Sequence, residues 1–157
     1  MKSRPLAQFS DFGVNYLATT VPGWRPGSSV VNRKDAGGMI VGLPDKVMVA
    51  LYEQVPAPRA KYRKNSWDCE NISRWYAVQV AELWARLIER GEVPDACLYQ
   101  GIVCGRIPVG ELPAGNHAAC FFFNDKNVYR MYEGQQRRLL TVAEVAKTEQ
   151  TWELEVH

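Results

Sequence analysis

One stretch constrains this chain more than any other: Cys69, Ile72, Trp75, Tyr76, Val80, Leu83, Trp84, Leu87 and Ile88 recur at spacings of three and four. A 3.6-residue period sets such positions on one stripe, so the segment predicts an amphipathic helix with one face against a core. Ser66 or Asp68 is placed to cap its start, and Gly91 sits where it should end. The residues that follow read as sheet. Residues 96–109 carry β-branched and aromatic side chains around Gly101 and Gly105, and residues 116–135 read as a hairpin with a polar turn at 124–127. Thr141 is placed to cap a short helix, and "TWELEVH" alternates Trp152, Leu154 and Val156 as a last strand.

Ahead of the long helix the pattern is weaker. "VPGWRPGSS" (residues 21–29) reads as loop, while Pro44 opens a second helix in which Val47, Ala50, Leu51 and Val55 share a face. Helices first and antiparallel strands afterwards predict an α+β fold, the long helix packed on an antiparallel sheet. A length of 157 residues suits one domain spanning 1–157, with a loop-rich part (1–61) and a helix-plus-sheet part (62–157).

The charge balance, 19 basic against 17 acidic side chains, provides no field for nucleic acid, and no run of about 18 apolar residues suggests a membrane span. The first residues lack the apolar centre of a signal peptide, so a cytoplasmic chain with reduced thiols is expected. Four cysteines without a CxxC pair, and only two histidines (His117 and His157), argue against a zinc site. Cys97, Cys104 and Cys120 have apolar neighbours and read as core.

Cys69 stands apart. A thiol at a helix N-terminus feels the positive end of the helix dipole, which favours thiolate. A strand histidine, His117, can take its proton, and an acidic residue, Glu133, can fix the ring. A turn centred on Asp125 would set residue 117 opposite 133, where cross-strand side chains share a face. A shift of one residue would face Gly134 to His117 instead, and a shift of two would bring Gln135 into play.

"DCEN" opening a long helix, followed by "NHAACFFFNDKNVYRMYEGQ", resembles the papain-like cysteine peptidase domain of the Marasmius oreades agglutinin type and its bacterial and phage relatives. The resemblance covers about residues 62–140. It implies a papain-like fold with Cys69 as nucleophile, His117 as general base and acid, and Glu133 as the orienting residue. It also implies oxyanion or supporting roles for Asn65, Trp67 and Gln135. A calcium or manganese ion at Asp68 and Glu70 is implied as well; as plain helix residues, both simply favour the first turn. "YEGQ" stands where the family carries Y-E-P-Q, and Cys120 where it tends to carry Asn.

The expected function is a cytoplasmic cysteine hydrolase, a thiol protease of phage or bacterial type, acting on a peptide or isopeptide bond of a protein substrate. The alternative is a catalytically silent module that engages and inhibits a protein partner; a homodimerisation domain is a third reading.

Overall fold

The computed structural model describes residues 3–5, 20–32, 39–59, 61, 63, 68–109 and 115–156. In chain order the elements are β1 (Ser3–Pro5), β2 (Trp24–Asn32), β3 (Met39–Val41), α1 (Asp45–Gln54), α2 (Cys69–Glu89), β4 (Cys97–Leu98), β5 (Gln100–Ile107), β6 (Gly115–Phe123), β7 (Tyr129–Glu133), β8 (Arg138–Leu139), α3 (Val142–Ala146) and β9 (Gln150–Val156). Six strands form the main sheet in the order β2-β9-β5-β6-β7-β8, and β1-β3-β4 form a small second sheet.

The long helix forms where its period places it. Asp68 caps it by accepting from the Asn71 N–H, and Gly91 follows its end with φ of 69°. Its buried face, with Ile72, Tyr76, Val80 and Trp84, packs with α1 and with Cys120, Phe122 and Tyr132 of the sheet. Each such large side chain contributes about 1.5–3 kcal/mol on burial. Tyr52 stacks on Tyr132 with ring centroids 4.4 Å apart, and the Trp84 indole N–H donates to the Ala96 carbonyl at 2.6 Å. The opposite sheet face buries Val103, Phe121, Met131 and Leu154, joined by Val145 of α3, whose N-terminus carries the Thr141–Glu144 capping box. The sheet is therefore covered on both sides.

Several expectations change. The main sheet is mixed rather than antiparallel, because β2 runs parallel to β9. Residues 24–29, expected as loop, belong to β2. It lies at the sheet edge, its register shifts between Trp24 and Ser29, and Gly27 has φ of 94°, so Pro26 disrupts no central ladder. In α1 the buried positions are Met48, Leu51 and Tyr52, followed by Val55, whereas Val47 is exposed. Cys97 is exposed, Cys104 half-buried and Cys120 buried, so only the last is core.

Gly105 on β5 faces His117 across the β5–β6 ladder, and β9 runs close on its other side. A Cβ there would lie 2.1 Å from the Gln150 carbonyl oxygen. That neighbour is backbone and cannot rotate away. Gly105→Ala is expected to destabilise the protein by about 1–3 kcal/mol, read from urea unfolding; an unchanged midpoint would contradict the packing.

Candidate functional site

The N-terminal turns of α2 are tied to β6 by two bonds from consecutive layers. The Ser73 hydroxyl donates to the Ala118 carbonyl at 3.0 Å, and the Cys120 thiol donates to the Ser73 carbonyl at 3.3 Å. These contacts sit one turn beyond Cys69, at the first and third residues beyond His117. They bring the first residue of the helix to the strand that carries the imidazole. The His117 ring lies within interacting range of the Cys69 thiol, and its Nε2 is paired with Glu133 Oε2. With Nε2 committed to the carboxylate, Nδ1 is the nitrogen left for the thiol.

Glu133 ends β7 and its side chain is only 2% exposed. Its second oxygen, Oε1, accepts from the Gln135 backbone N–H at 2.8 Å. Both carboxylate oxygens are thus held, as a buried charge requires. Burial alone would lower the His117 pKa. The bonds to Cys69 and Glu133, with the charge of Glu133, outweigh it and raise the ring from 6.5 to about 9.

The hairpin differs from the expected register. Cys120 pairs with Tyr132 and Phe121 with Met131; continued by one step, this register sets Ala119 rather than His117 across from Glu133. The turn is shifted because the Asn124 side chain accepts from the Lys126 and Val128 N–H groups, with Asn127 at φ of 58°. Glu133 reaches His117 from the diagonal position, which long side chains can span. Gln135 acts through its backbone, and its side chain is on an exposed residue.

Asn65 and Trp67 lie outside the described residues. Asp68 and Glu70 flank the thiol, but each has a protein partner. Asp68 Oδ1 accepts from the backbone and side-chain nitrogens of Asn71, both at 3.3 Å, and Glu70 pairs with Arg74 at 2.9 Å. No group of three or more His, Cys, Asp or Glu among the described residues is arranged to hold a metal ion. One oxygen of each carboxylate is thus engaged within the protein, that of Asp68 at the helix cap and that of Glu70 on a guanidinium.

The glycine of "YEGQ" has a local cause. A Cβ at Gly134 would meet the Tyr76 ring at 2.8 Å and the Ile72 side chain at 3.4 Å. Tyr76 thus occupies the space a proline ring would need. Beside it, Ala57, Pro58, Ile72, Tyr76, Gly134, Gln135 and Arg137 line an open groove of about 270 Å³. Sequence reasoning missed Arg74, which joins Glu70 to Glu155 of β9. The Glu70–Arg74 spacing of four was a readable signal for half of this bridge; the burial of Glu155 was not.

A thiol, an imidazole and a buried carboxylate are thus brought together where α2 begins, with the imidazole and the carboxylate paired. No protein-family model and no curated protein sequence matches the chain. Among solved structures, it is similar to a PSL1a–E64 complex, with a TM-score of 0.67 and 16% identity, covering 98% of this chain and 50% of that one. It is also similar to the Polyporus squamosus lectin bound to the human-type influenza-binding epitope Neu5Aca2-6Galb1-4GlcNAc, with a TM-score of 0.59 and 16% identity, covering 91% and 48%. The chain spans about half the length of each of these structures. PSL1a is a Polyporus squamosus lectin, and the chain shares the fold of about half of it. At this identity the likeness concerns the fold alone.

These neighbours are lectins, one of them bound to a carbohydrate epitope, so the designations hydrolase, cysteine peptidase and thiol protease do not stand. Among the described residues no helix is long and apolar enough to cross a membrane.

The His117 shift has a consequence for stability. The folded state favours the charged ring, so this contribution is complete below pH 6.5 and is lost as pH rises through about 9. Urea unfolding from about pH 6 to about pH 10 is expected to show a falling midpoint across this window. His117→Asn should flatten that fall, and an equal fall in the variant would contradict the assignment.

Proposed function

We propose that the chain carries a nucleophilic cysteine site that takes an acyl group from a carbonyl substrate onto Cys69. The observation that carries this reading is the placement of His117 between the Cys69 thiol and the buried carboxylate of Glu133. On this reading the Cys69 sulfur attacks an amide or ester carbonyl carbon, and the thiol proton resides on His117. The tetrahedral oxyanion accepts from the Cys69 backbone N–H, which belongs to the first helical turn, where N–H groups make no intrahelical bond. Asn65 and Trp67 remain the proposed side-chain donors. The bond from carbon to the leaving group then breaks, His117 protonates that group, and a thioester is left on Cys69. An incoming nucleophile, deprotonated by His117, releases the acyl group.

Glu133 holds the ring so that Nδ1 faces the sulfur and stabilises the imidazolium between the two steps. The nucleophile at the start of a long helix, with the base on a following strand, is the papain-like order, and the fold is papain-like on this reading.

Incubation with p-nitrophenyl acetate, acid quenching and peptide mapping by mass spectrometry tests the proposal. An acetyl thioester on Cys69, absent in Cys69→Ala and formed at least about 100-fold more slowly in His117→Ala, is expected. A folded protein that forms no adduct at Cys69 between about pH 5 and pH 9 would contradict it and favour the silent module that engages a protein partner.

A further inference from the structure

We propose that the groove beside Gly134 is a substrate subsite for an acyl chain that ends in a carboxylate, with Arg137 as the group that receives the acid. This deepens the reading of Cys69 as an acyl-accepting nucleophile and rests on it. The groove adjoins the reactive residues along two stretches of chain. One is α2, where Ile72 and Tyr76 follow Cys69 on the same helix face. The other leaves β7, where Gly134 and Gln135 follow directly on Glu133, and the Gln135 N–H is the donor that holds that carboxylate. Ala57 and Pro58 also line it. Gly134 puts no side chain into this space. At about 270 Å³ the groove falls below the range of about 300–1,000 Å³ for sites that enclose a drug-sized molecule. It suits one stem of a substrate rather than the whole.

Arg137 sets the charge of the groove. Its Nη2 donates to the Glu53 carbonyl at 2.9 Å and to the Val55 carbonyl at 3.1 Å, and its guanidinium carbon lies 5.9 Å from the centre of the Tyr76 ring. These contacts fix the group without neutralising it, because both acceptors are backbone oxygens. Among the described residues, Nε and Nη1 have no protein acceptor and no carboxylate lies within ion-pair distance of Arg137. Arg74, Arg130 and Arg138, by contrast, each pair with a carboxylate. The turn holds Arg137 at φ of 51°, a conformation that favours glycine, so a long cation stands there at some backbone cost. From Pro58 the chain runs on through exposed Arg59, Lys61 and Arg63, with no acidic residue from Ala57 to Trp67. An aliphatic stem would bury against Ile72 and Tyr76, and Nε or Nη1 would donate to the carboxylate at its end. One fixed guanidinium beside apolar walls matches a singly charged acid on such a stem; a compact, strongly hydrated phosphate would gain nothing from the walls.

The test compares p-nitrophenyl hydrogen suberate with its methyl ester at neutral pH. The two differ by one methyl group and by the charge at the far end of an apolar stem. Each transfers its acyl group to the Cys69 sulfur and releases p-nitrophenol, and peptide mapping gives the rate at Cys69. The acid should react at least about tenfold faster than the ester, as one charge-assisted bond allows. That ratio should fall several-fold in about 1 M salt and approach one in Arg137→Gln, while Arg137→Lys should keep it above about threefold. A wild-type ratio near one, or a tenfold ratio that Arg137→Gln leaves in place, overturns the proposal while leaving the nucleophile reading intact. If Arg137→Gln does not fold, a wild-type ratio unmoved by salt overturns it. No adduct at Cys69 from either ester or from p-nitrophenyl acetate overturns both.

Discussion

The carboxylate of Glu133 lies out of water at the end of a central strand, with one oxygen on the His117 ring and the other on the Gln135 N–H. An unpaired carboxylate in that position would cost several kcal/mol. The imidazole is thus an obligatory partner, and its orientation follows from satisfying the acid. Once Nε2 is committed to Glu133, Nδ1 points to the other side of the ring. The helix start brings Cys69 within interacting range of the ring.

That delivery is a matter of packing as much as chemistry. The α2 face of Ile72, Tyr76, Val80 and Trp84 is buried against the sheet and α1, while the Ser73–Ala118 and Cys120–Ser73 bonds set how the helix sits along β6. Gly134 lets Tyr76 close over the chain immediately after Glu133. Arg74 adds an ionic tie to β9 on the far side of β5. Apolar burial thus presses the helix on the sheet, and a few directed polar bonds choose its position. The thiol, the ring and the carboxylate inherit their arrangement from both.

The elements with strong local signals were legible in the sequence. The three-and-four spacing from Cys69 to Ile88, the Asp68 cap, the Gly91 stop and the Thr141 capping box all depend on neighbours within one or two turns. Cys69, His117 and Glu133 were legible as a set because each residue type suits one role and the hairpin brings two of them together. The illegible parts depend on distant partners. Residues 24–29 look like loop until β9 arrives as a parallel neighbour. Glu155 falls on the polar side of an alternating strand, yet a sheet covered on both faces has no wet side, and Arg74 reaches across to meet it. The two-residue error in the β6–β7 register came from the Asn124 side chain, which lengthens the turn by gathering backbone N–H groups.

The account stands or falls on the bond between His117 Nε2 and Glu133, and proton NMR observes it directly. A single strongly downfield ring N–H resonance, coupled to the Nε2 nitrogen of His117 in a nitrogen-15 labelled sample, is the predicted result, and Glu133→Gln should shift it upfield. A spectrum with no such resonance near neutral pH, or one that Glu133→Gln leaves in place, would show that the carboxylate does not hold the ring.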